Sequence, residues 1–389
     1  MSVHLNHFLS RQTAETKRIV MHLSNPSLMS CESYAPGLSR GYVANRFGVA
    51  PQEVAKLGSA ENPLGPSPKA VSAVSAAVGR IDVYPEWTAA TLREKIAASY
   101  GVDPASVICG AGETEILSWI IRTFAEPGEK LLMYEPCFPI YHMAAEADGR
   151  RPVFVAMGSE FDFRIDDYIA AITPDIRVVF LTNPHSPTGK LMEEADIRRV
   201  CEAARDQLVV LDEAYIHFTR TDGGIHLAAE YDNVIVLRTF SKVFGLAGLR
   251  VGFGIASPDI IRPLMAIKPT WNMGVLQVAG AQAALDDDEH RERTVDLICD
   301  MRDHVSRRLA ELNAFRMIPG SRSNFLMVEI LDDGLDSTAV FQRLLEHGVI
   351  VKDCSVSFRG LGKRYLRVDV SLKNHMDRFV DALSQLDRD

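Results

Sequence analysis

The chain has no surplus of basic residues, no cysteine pairs at redox or zinc spacing and no long apolar run. Each absence closes off a class of function. With 42 Lys and Arg against 51 Asp and Glu, the formal net charge is −9, so a nucleic-acid partner is not expected. An anionic small molecule could still bind, held by a few local Arg and Lys side chains. The six cysteines stand at 31, 109, 137, 201, 299 and 354, none as C-x-x-C. They are expected to be buried, reduced thiols of a cytoplasmic protein, and no metal site is expected. No stretch approaches the ~18 apolar residues of a membrane-spanning helix. The first residues, MSVHLNHFLSRQTAETKRIVMHLS, lack the apolar run of about 7–15 residues and the cleavage site of a secretory signal. G-x-S-x-G, H-E-x-x-H and G-x-x-x-x-G-K-[ST] are also missing, which removes the hydrolase elbow, the helical zinc site and the P-loop.

What is present is a large apolar fraction, 47% of 389 residues, enough for two domains. No internal repeat or low-complexity linker interrupts it. Residues 1–30 are mixed and polar. The stretch Glu61-Asn62-Pro63-Leu64-Gly65-Pro66-Ser67-Pro68 is a loop, because its prolines and glycine interrupt any helix. From about 70 to 290 helix and strand patterns alternate. Helices are expected at 69–78, 89–100, 115–124, 140–147 and 193–207; strands are expected at 107–109, 130–134, 153–156, 178–182, 209–212, 234–238 and 251–255. Several of these strands are nearly continuous apolar runs, such as Val178-Val179-Phe180-Leu181, as suits a parallel sheet covered on both faces. The expected fold is therefore α/β: a large domain with a mostly parallel seven-stranded sheet flanked by helices. Beyond 290 the pattern becomes helix 292–312, strand 324–329, helix 337–346, strands 349–352 and 365–370, and helix 374–386. That reads as a smaller α+β domain. The expected division is 1–75 as N-terminal arm and part of the small domain, 76–289 as the large domain and 290–389 as the small one, the two chain ends packing together.

Open α/β sheets bind ligands beyond the C-terminal ends of their strands, and four strands here end in chemically capable groups. One leads into Asn183-Pro184-His185-Ser186-Pro187-Thr188-Gly189, where Asn183 is either a ligand contact or an Asx turn. A second ends in Asp212-Glu213-Ala214-Tyr215. A carboxylate closing an apolar run needs a cationic or hydrogen-bonding partner, such as a protonated pyridine nitrogen, a metal or a helix end. A third ends in Arg238-Thr239-Phe240-Ser241-Lys242, with Arg250 eight residues on. Hydroxyls and a guanidinium suit a phosphate, and a lysine in a dry or cationic site becomes a nucleophile. A lone lysine would be a solvated charge; these neighbours argue otherwise. The fourth gives Cys109-Gly110-Ala111-Gly112-Glu113-Thr114-Glu115 before an apolar helix, an anion site of the helix-N-terminus kind. It resembles only half of a dinucleotide fingerprint.

Together, Asn183-Pro184, Asp212-Glu213-Ala214-Tyr215 and Ser241-Lys242 with Arg250 resemble the fold-type I pyridoxal-phosphate aminotransferases. Glu61-Asn62-Pro63-Leu64-Gly65-Pro66-Ser67-Pro68, Tyr84-Pro85, Arg238-Thr239-Phe240-Ser241-Lys242 and Leu366-Arg367 narrow the likeness to the histidinol-phosphate aminotransferase group, over roughly residues 34–387. The resemblance implies an enzyme of amino-acid biosynthesis that moves an amino group from histidinol phosphate or a related donor to a 2-oxo acid such as 2-oxoglutarate. Lys242 would bond pyridoxal 5'-phosphate covalently and later shuttle the substrate proton. Asp212 would pair with the pyridine nitrogen, Asn183 and Tyr215 with the phenolic oxygen, and Phe138 would stack on the ring. Thr239, Ser241, Arg250 and the backbone N–H groups of Glu113 and Thr114 would hold the phosphate. Tyr84 would reach the phosphate in a neighbouring subunit, which implies a homodimer with shared sites.

On the substrate side the resemblance assigns Tyr34, Lys352 and Arg367. The family carries Arg where this chain has Lys352, a point charge in place of a two-pronged donor. It carries Asn-Gly-Ser-Asp-Glu where this chain has Ala111-Gly112-Glu113-Thr114-Glu115, and Gly-Thr where it has Ser371-Leu372. A relative acting on another amino acid in a specialised pathway is the neighbouring expectation. Decarboxylation, elimination or oxidation on the same cofactor is the alternative chemistry, and a non-enzymatic binding protein is the third reading.

Overall fold

The computed structural model describes residues 37–387. Thirteen strands are labelled in chain order. The large sheet uses β2 (Val107–Gly110), β3 (Lys130–Glu135), β4 (Arg151–Ala156), β5 (Ile176–Thr182), β6 (Leu208–Asp212), β7 (Val234–Thr239) and β8 (Gly252–Ala256), in the spatial order β2-β8-β7-β6-β5-β3-β4. All seven expected strands are present. Every pairing is parallel except the two made by β8. Because β8 runs against both β2 and β7, those two run the same way as the rest. The C-terminal ends of β2, β5, β6 and β7 therefore open on one edge, and the chain re-enters that edge just before β8.

The apolar runs explain the burial. On β5 and β6, Val179, Leu181, Val209 and Leu211 face one core cluster, while Val178, Phe180, Leu208 and Val210 face the other. Alternate side chains point to opposite faces, and both faces are covered by helices, so both parities must be apolar. Helices Glu113–Phe124 and Pro139–Ala147 cover one face.

The remaining strands form two smaller sheets. Strands β9 (Phe315–Met317), β10 (Phe325–Ile330), β12 (Lys352–Asp353) and β13 (Tyr365–Asp369) make an antiparallel sheet in the order β12-β13-β10-β9. Strands β1 (Ala55–Lys56) and β11 (Val349–Ile350) pair in parallel. The strand expected at 349–352 is thus split: β11 serves one sheet and Lys352 starts β12 in the other. This break aligns Lys352 with Arg367 across the β12–β13 pair. The N-terminal helix Arg40–Phe47 packs Val43 and Ala44 against Leu345 and Ile350, so the early chain lies on the C-terminal part of the molecule. Helix Pro68–Ala77, by contrast, packs on Val275–Leu285.

Local chemistry sets the element ends. Ser67 caps Pro68–Ala77 by accepting from the Ala70 N–H, with Pro68 at the first helical position, where its missing N–H costs nothing. The helix expected at 193–207 is shorter, Glu194–Ala203. The Asn233 amide ends it by donating to the carbonyls of Ala204 (2.6 Å) and Gln207 (2.9 Å). Helices Pro258–Ile267 and Val275–Leu285 were not anticipated. The first carries an internal proline, Pro263, which argues against a helix, and the second is apolar nearly all round and shows no amphipathic stripe.

Candidate active site

The strand ends converge on a cavity of about 230 Å³ lined by Glu113, Thr114, Phe138, Asp212, Tyr215, Thr239, Ser241, Lys242 and Arg250, with Ser186 and Ser59 among the other walls. Nine residues singled out in the sequence thus meet in one place.

Asp212 ends β6 and is only 3% exposed. Its Oδ1 accepts the Ala214 N–H at 3.0 Å, and its Oδ2 accepts the Tyr141 hydroxyl. Tyr141 is fixed in turn by Thr182 Oγ1 at 2.9 Å and by stacking on Phe180, ring centroids 4.7 Å apart. It was missed in the sequence. Its only signal is its place three residues after Phe138, on the same helical face; their rings meet edge-on at 5.6 Å. The next residue, Glu213, turns away from the cavity. It forms a buried ion pair with Arg238 at 2.7 Å and accepts the Gly224 N–H at 2.5 Å, tying β6 to β7.

Lys242 lies in the turn after β7, its Nζ 3.4 Å from the Ser59 carbonyl and 5.4 Å from the centre of the Tyr215 ring. Burial, then the Arg367 charge, lower its pKa to about 8. Its amine is therefore far closer to neutral near physiological pH than a surface lysine. The hydroxyl cradle stands next to it. Thr239 Oγ1 and Ser241 Oγ are 3.0 Å apart, and Arg250 Nη1 donates to Ser241 Oγ at 3.3 Å. Arg250 enters from just before β8 and crosses the turn at Gly112. A Cβ on Gly112 would come within 2.5 Å of Arg250 Nη2, and Gly112 has φ +86°, so this turn needs glycine on both counts. The first N–H groups of helix Glu113–Phe124 lack partners within the helix and face the same cradle. Hydroxyls, a guanidinium and a helix N-terminus beside a half-neutral lysine and a buried carboxylate fit a phosphate-bearing pyridine aldehyde.

Two expected contacts are arranged differently. The Asn183 side chain does not line this cavity. Its Oδ1 accepts the Met192 N–H at 2.7 Å and its Nδ2 donates to the Met192 carbonyl at 3.2 Å, and it borders a neighbouring cavity instead. The amide is satisfied as a brace across its own loop, an arrangement other than the Asx turn, whose bond would reach only two residues on. In the same loop Ser186 does line the site, buried, with its Oγ lacking any hydrogen-bond partner among the described residues. Nothing in the sequence separated Ser186 from its polar neighbours. Tyr84 is 76% exposed and stacks on Trp271 at 4.6 Å, away from its own chain's cavity.

The residues expected on the substrate side, Lys352 and Arg367, lie on the small sheet. Arg367 and Lys352 are 7% and 6% exposed and stand opposite each other on β13 and β12. The Arg367 guanidinium sits 4.8 Å from the Phe325 ring centre and 5.5 Å from that of Phe358, and its Nε has no hydrogen-bond partner among the described residues. Phe325 in turn meets the Tyr215 ring edge-on at 4.9 Å. This contact joins the two halves of the site. Asp369, not singled out in the sequence, is 3.7 Å from Arg367 and accepts the Ala60 N–H. Tyr34 lies outside the described residues, as does Cys31. Of the described cysteines none is disulfide-bonded; Cys109, Cys137, Cys201 and Cys354 are buried and Cys299 is partly so. Burial pushes the thiols of Cys109, Cys137 and Cys201 up to about 12, so they are inert. Among the described residues there is no His, Cys, Asp and Glu grouping able to hold a metal ion and no helix long and apolar enough to cross a membrane.

Residues 52–383 match the model of the family described as aminotransferase class I and II. The histidinol-phosphate aminotransferase of Methanocaldococcus jannaschii is 36% identical over 91% of this chain and 94% of its own length. That of Anaeromyxobacter sp. is 36% identical over 94% and 99%. The solved histidinol-phosphate aminotransferase of Sinorhizobium meliloti, a complex with pyridoxal-5'-phosphate, superposes with a TM-score of 0.84 at 26% identity, covering 94% of this chain and 97% of that one.

Proposed function

The chain belongs to the class I and II aminotransferases and is a pyridoxal-phosphate enzyme, and on that premise we propose that it carries the amino group of histidinol phosphate, or a close relative, to a 2-oxo acid such as 2-oxoglutarate. The observation that carries this reading is that buried charge stands on both sides of Tyr215. Asp212, Lys242 and Arg250 ring one cavity, and a buried Arg367–Lys352 pair stands beyond Tyr215 on the other side.

When bound, the cofactor supplies an electron sink for the bonds of the substrate α-carbon. The chain's part is to hold and to move protons. Asp212, kept in place by Tyr141 and the Ala214 N–H, would face the pyridine nitrogen. Arg250, Ser241, Thr239 and the N–H groups of Glu113 and Thr114 would hold the phosphate. Phe138 would flank the ring, and the Tyr215 hydroxyl would meet the phenolic oxygen. Lys242, with its lowered pKa, would be the amine that holds the cofactor's aldehyde carbon and the base that carries the proton at the substrate α-carbon. Arg367 and Lys352 supply two buried cations for the donor's phosphate or the acceptor's carboxylate.

A homodimer and a cytoplasmic setting complete the reading. Val78, Ile81, Val83, Tyr84, Trp87 and Trp271 are exposed apolar side chains, close in sequence or stacked together, and patches of this kind are contact surfaces. They adjoin a hollow of about 660 Å³ whose walls include Tyr84, Gly248 and Leu249, the residues just before Arg250. A second copy seated there would bring its own tyrosine toward the phosphate cradle.

The deciding experiment measures glutamate formed from 2-oxoglutarate with histidinol phosphate and with unphosphorylated histidinol. A preference for the phosphorylated donor of at least about 10-fold in kcat/KM, the worth of one good charge-assisted contact, is expected. Equal use of both would remove the phosphate from the proposed role of Arg367 and Lys352.

A further inference from the structure

Glu113 occupies the position at which the resembled family carries serine, the first helical residue after the glycine turn. An acid in a helix's first turn is ordinarily solvated, ionised and favoured by the helix dipole. Here the side chain does something else. Glu113 is only 8% exposed, it lines the cavity that holds Lys242, and its Oε1 lacks any hydrogen-bond partner among the described residues. Its carboxyl turns inward to the Asp212 carboxyl, with which it interacts side chain to side chain.

The groups around this pair can be counted. The Tyr141 hydroxyl approaches from helix Pro139–Ala147 and donates to Asp212. The Ala214 N–H donates to Asp212 from beyond β6. Lys242 and Arg250 face Glu113 from the turn after β7 and from the entry to β8. Two ionised carboxyls side by side in a buried pocket repel, and one of them keeps a proton. Asp212 already has two donors and Glu113 has an unpartnered oxygen. The proton therefore belongs on Glu113, whose pKa burial and the Asp212 charge push well above the usual carboxylate range.

We propose that Glu113 is a protonated positioning residue that donates its proton to Asp212, so that the two carboxyls hold one negative charge between them beneath the cofactor ring. This rests on the cavity being the pyridoxal-phosphate site. One charge matches the single proton of a pyridine nitrogen, and a neutral Glu113 leaves the helix N-terminus free to receive the phosphate without a competing anion.

The sign of the pH effect follows. Below the raised pKa the pair carries one charge. As pH rises through it the second charge appears, opposing both Asp212 and the phosphate, and affinity for the cofactor falls. Glu113→Gln keeps a donor that cannot ionise, so this loss is absent. The experiment titrates cofactor-free wild type and Glu113→Gln with pyridoxal 5'-phosphate between pH 6 and 10, reading cofactor absorbance. Wild-type Kd is expected to rise by up to about 10-fold per pH unit more steeply than that of the variant as Glu113 ionises. Both titrations are made in a Lys242→Ala background, because Glu113 and Lys242 act on each other's charge and the lysine's own titration would otherwise enter the comparison. Parallel pH curves would overturn the proposal, whereas failure of wild type to bind pyridoxal 5'-phosphate at all would instead overturn the reading of the cavity. A measurement on wild type alone guards against a variant that does not fold. With ¹³C-labelled glutamate, the infrared spectrum of the holoenzyme at neutral pH should show the carbonyl stretch of a protonated carboxylic acid. A spectrum containing only carboxylate bands would sink the idea.

Discussion

The two walls of the active site are built on different principles. The wall on the large sheet collects its groups from the C-terminal ends of parallel strands. Asp212 ends its strand, Ser241 and Lys242 come just after theirs, and each of these strands is held in register by a neighbour on either side. The wall on the small sheet presents Lys352 and Arg367 side by side across an antiparallel pair, backed by Phe325, Phe358 and Asp369. Groups at strand ends are written in short contiguous motifs. A cross-strand pair is two residues far apart in the chain, and its meaning depends on which strands meet. Under the proposed function the first arrangement would supply the chemistry and the second would choose the molecule.

Breaking the large-sheet wall should cost most. Lys242→Ala removes both the covalent partner and the proton carrier, and kcat should fall by at least about 10³-fold, measured under steady state with saturating donor. If turnover survives intact, Lys242 is not the reacting lysine. Next in size is the frame behind it. Glu213→Ala would strand the buried Arg238 charge and lower unfolding free energy by about 3–5 kcal/mol, read by urea denaturation of the cofactor-free protein; a loss below about 1 kcal/mol would show the pair to be ornamental to stability.

The pH behaviour of Lys242 tests the same wall without mutation. A group lowered to about 8 reacts as the neutral amine, so the rate at which cofactor-free protein captures pyridoxal phosphate should climb about 10-fold per pH unit below 8 and level off above it. A climb continuing to pH 10 would show an unperturbed lysine.

The small-sheet wall should respond through selectivity rather than rate. Arg367→Lys loses the two-pronged donor and should raise KM for the phosphorylated donor about 10-fold with little change in kcat for an unphosphorylated one. Equal losses for both donors would place Arg367 outside substrate recognition. Smallest is the contrast within one loop. Ser186→Ala should weaken cofactor binding by about 3–10-fold, the worth of one net hydrogen bond. Asn183→Ala should leave cofactor affinity intact and lower Tm, since its amide braces Met192. The reverse outcome would restore Asn183 as the ring contact.

These cases show why part of the site was legible in advance. Short apolar runs rich in β-branched residues and bounded by turn residues suit strands covered on both faces, so β5 and β6 and the groups at their ends could be located. Asp212, Lys242 and Arg250 followed, because a buried charge must have a partner. Tyr141, Ser186 and the inward turn of Glu113 were not legible. A tyrosine on a helix or a serine in a loop has many possible neighbours, and which one it meets depends on how helices pack on the sheet. The continuous run Val349-Ile350-Val351-Lys352 also hid its break, since nothing in its pattern says that its two halves pair with different strands.

Sequence by itself determined the layered α/β sheet and singled out the lysine and the carboxylate of the candidate site, since those are carried by period, composition and short spacing. Tertiary structure alone decided that Asn183 faces a loop while Ser186 faces the cavity, that Lys352 stands beside Arg367, and that Glu113 turns to Asp212. The physical reason is that each of these depends on a hydrogen bond, charge or strand pairing between groups whose separation along the chain carries no information about their distance in space.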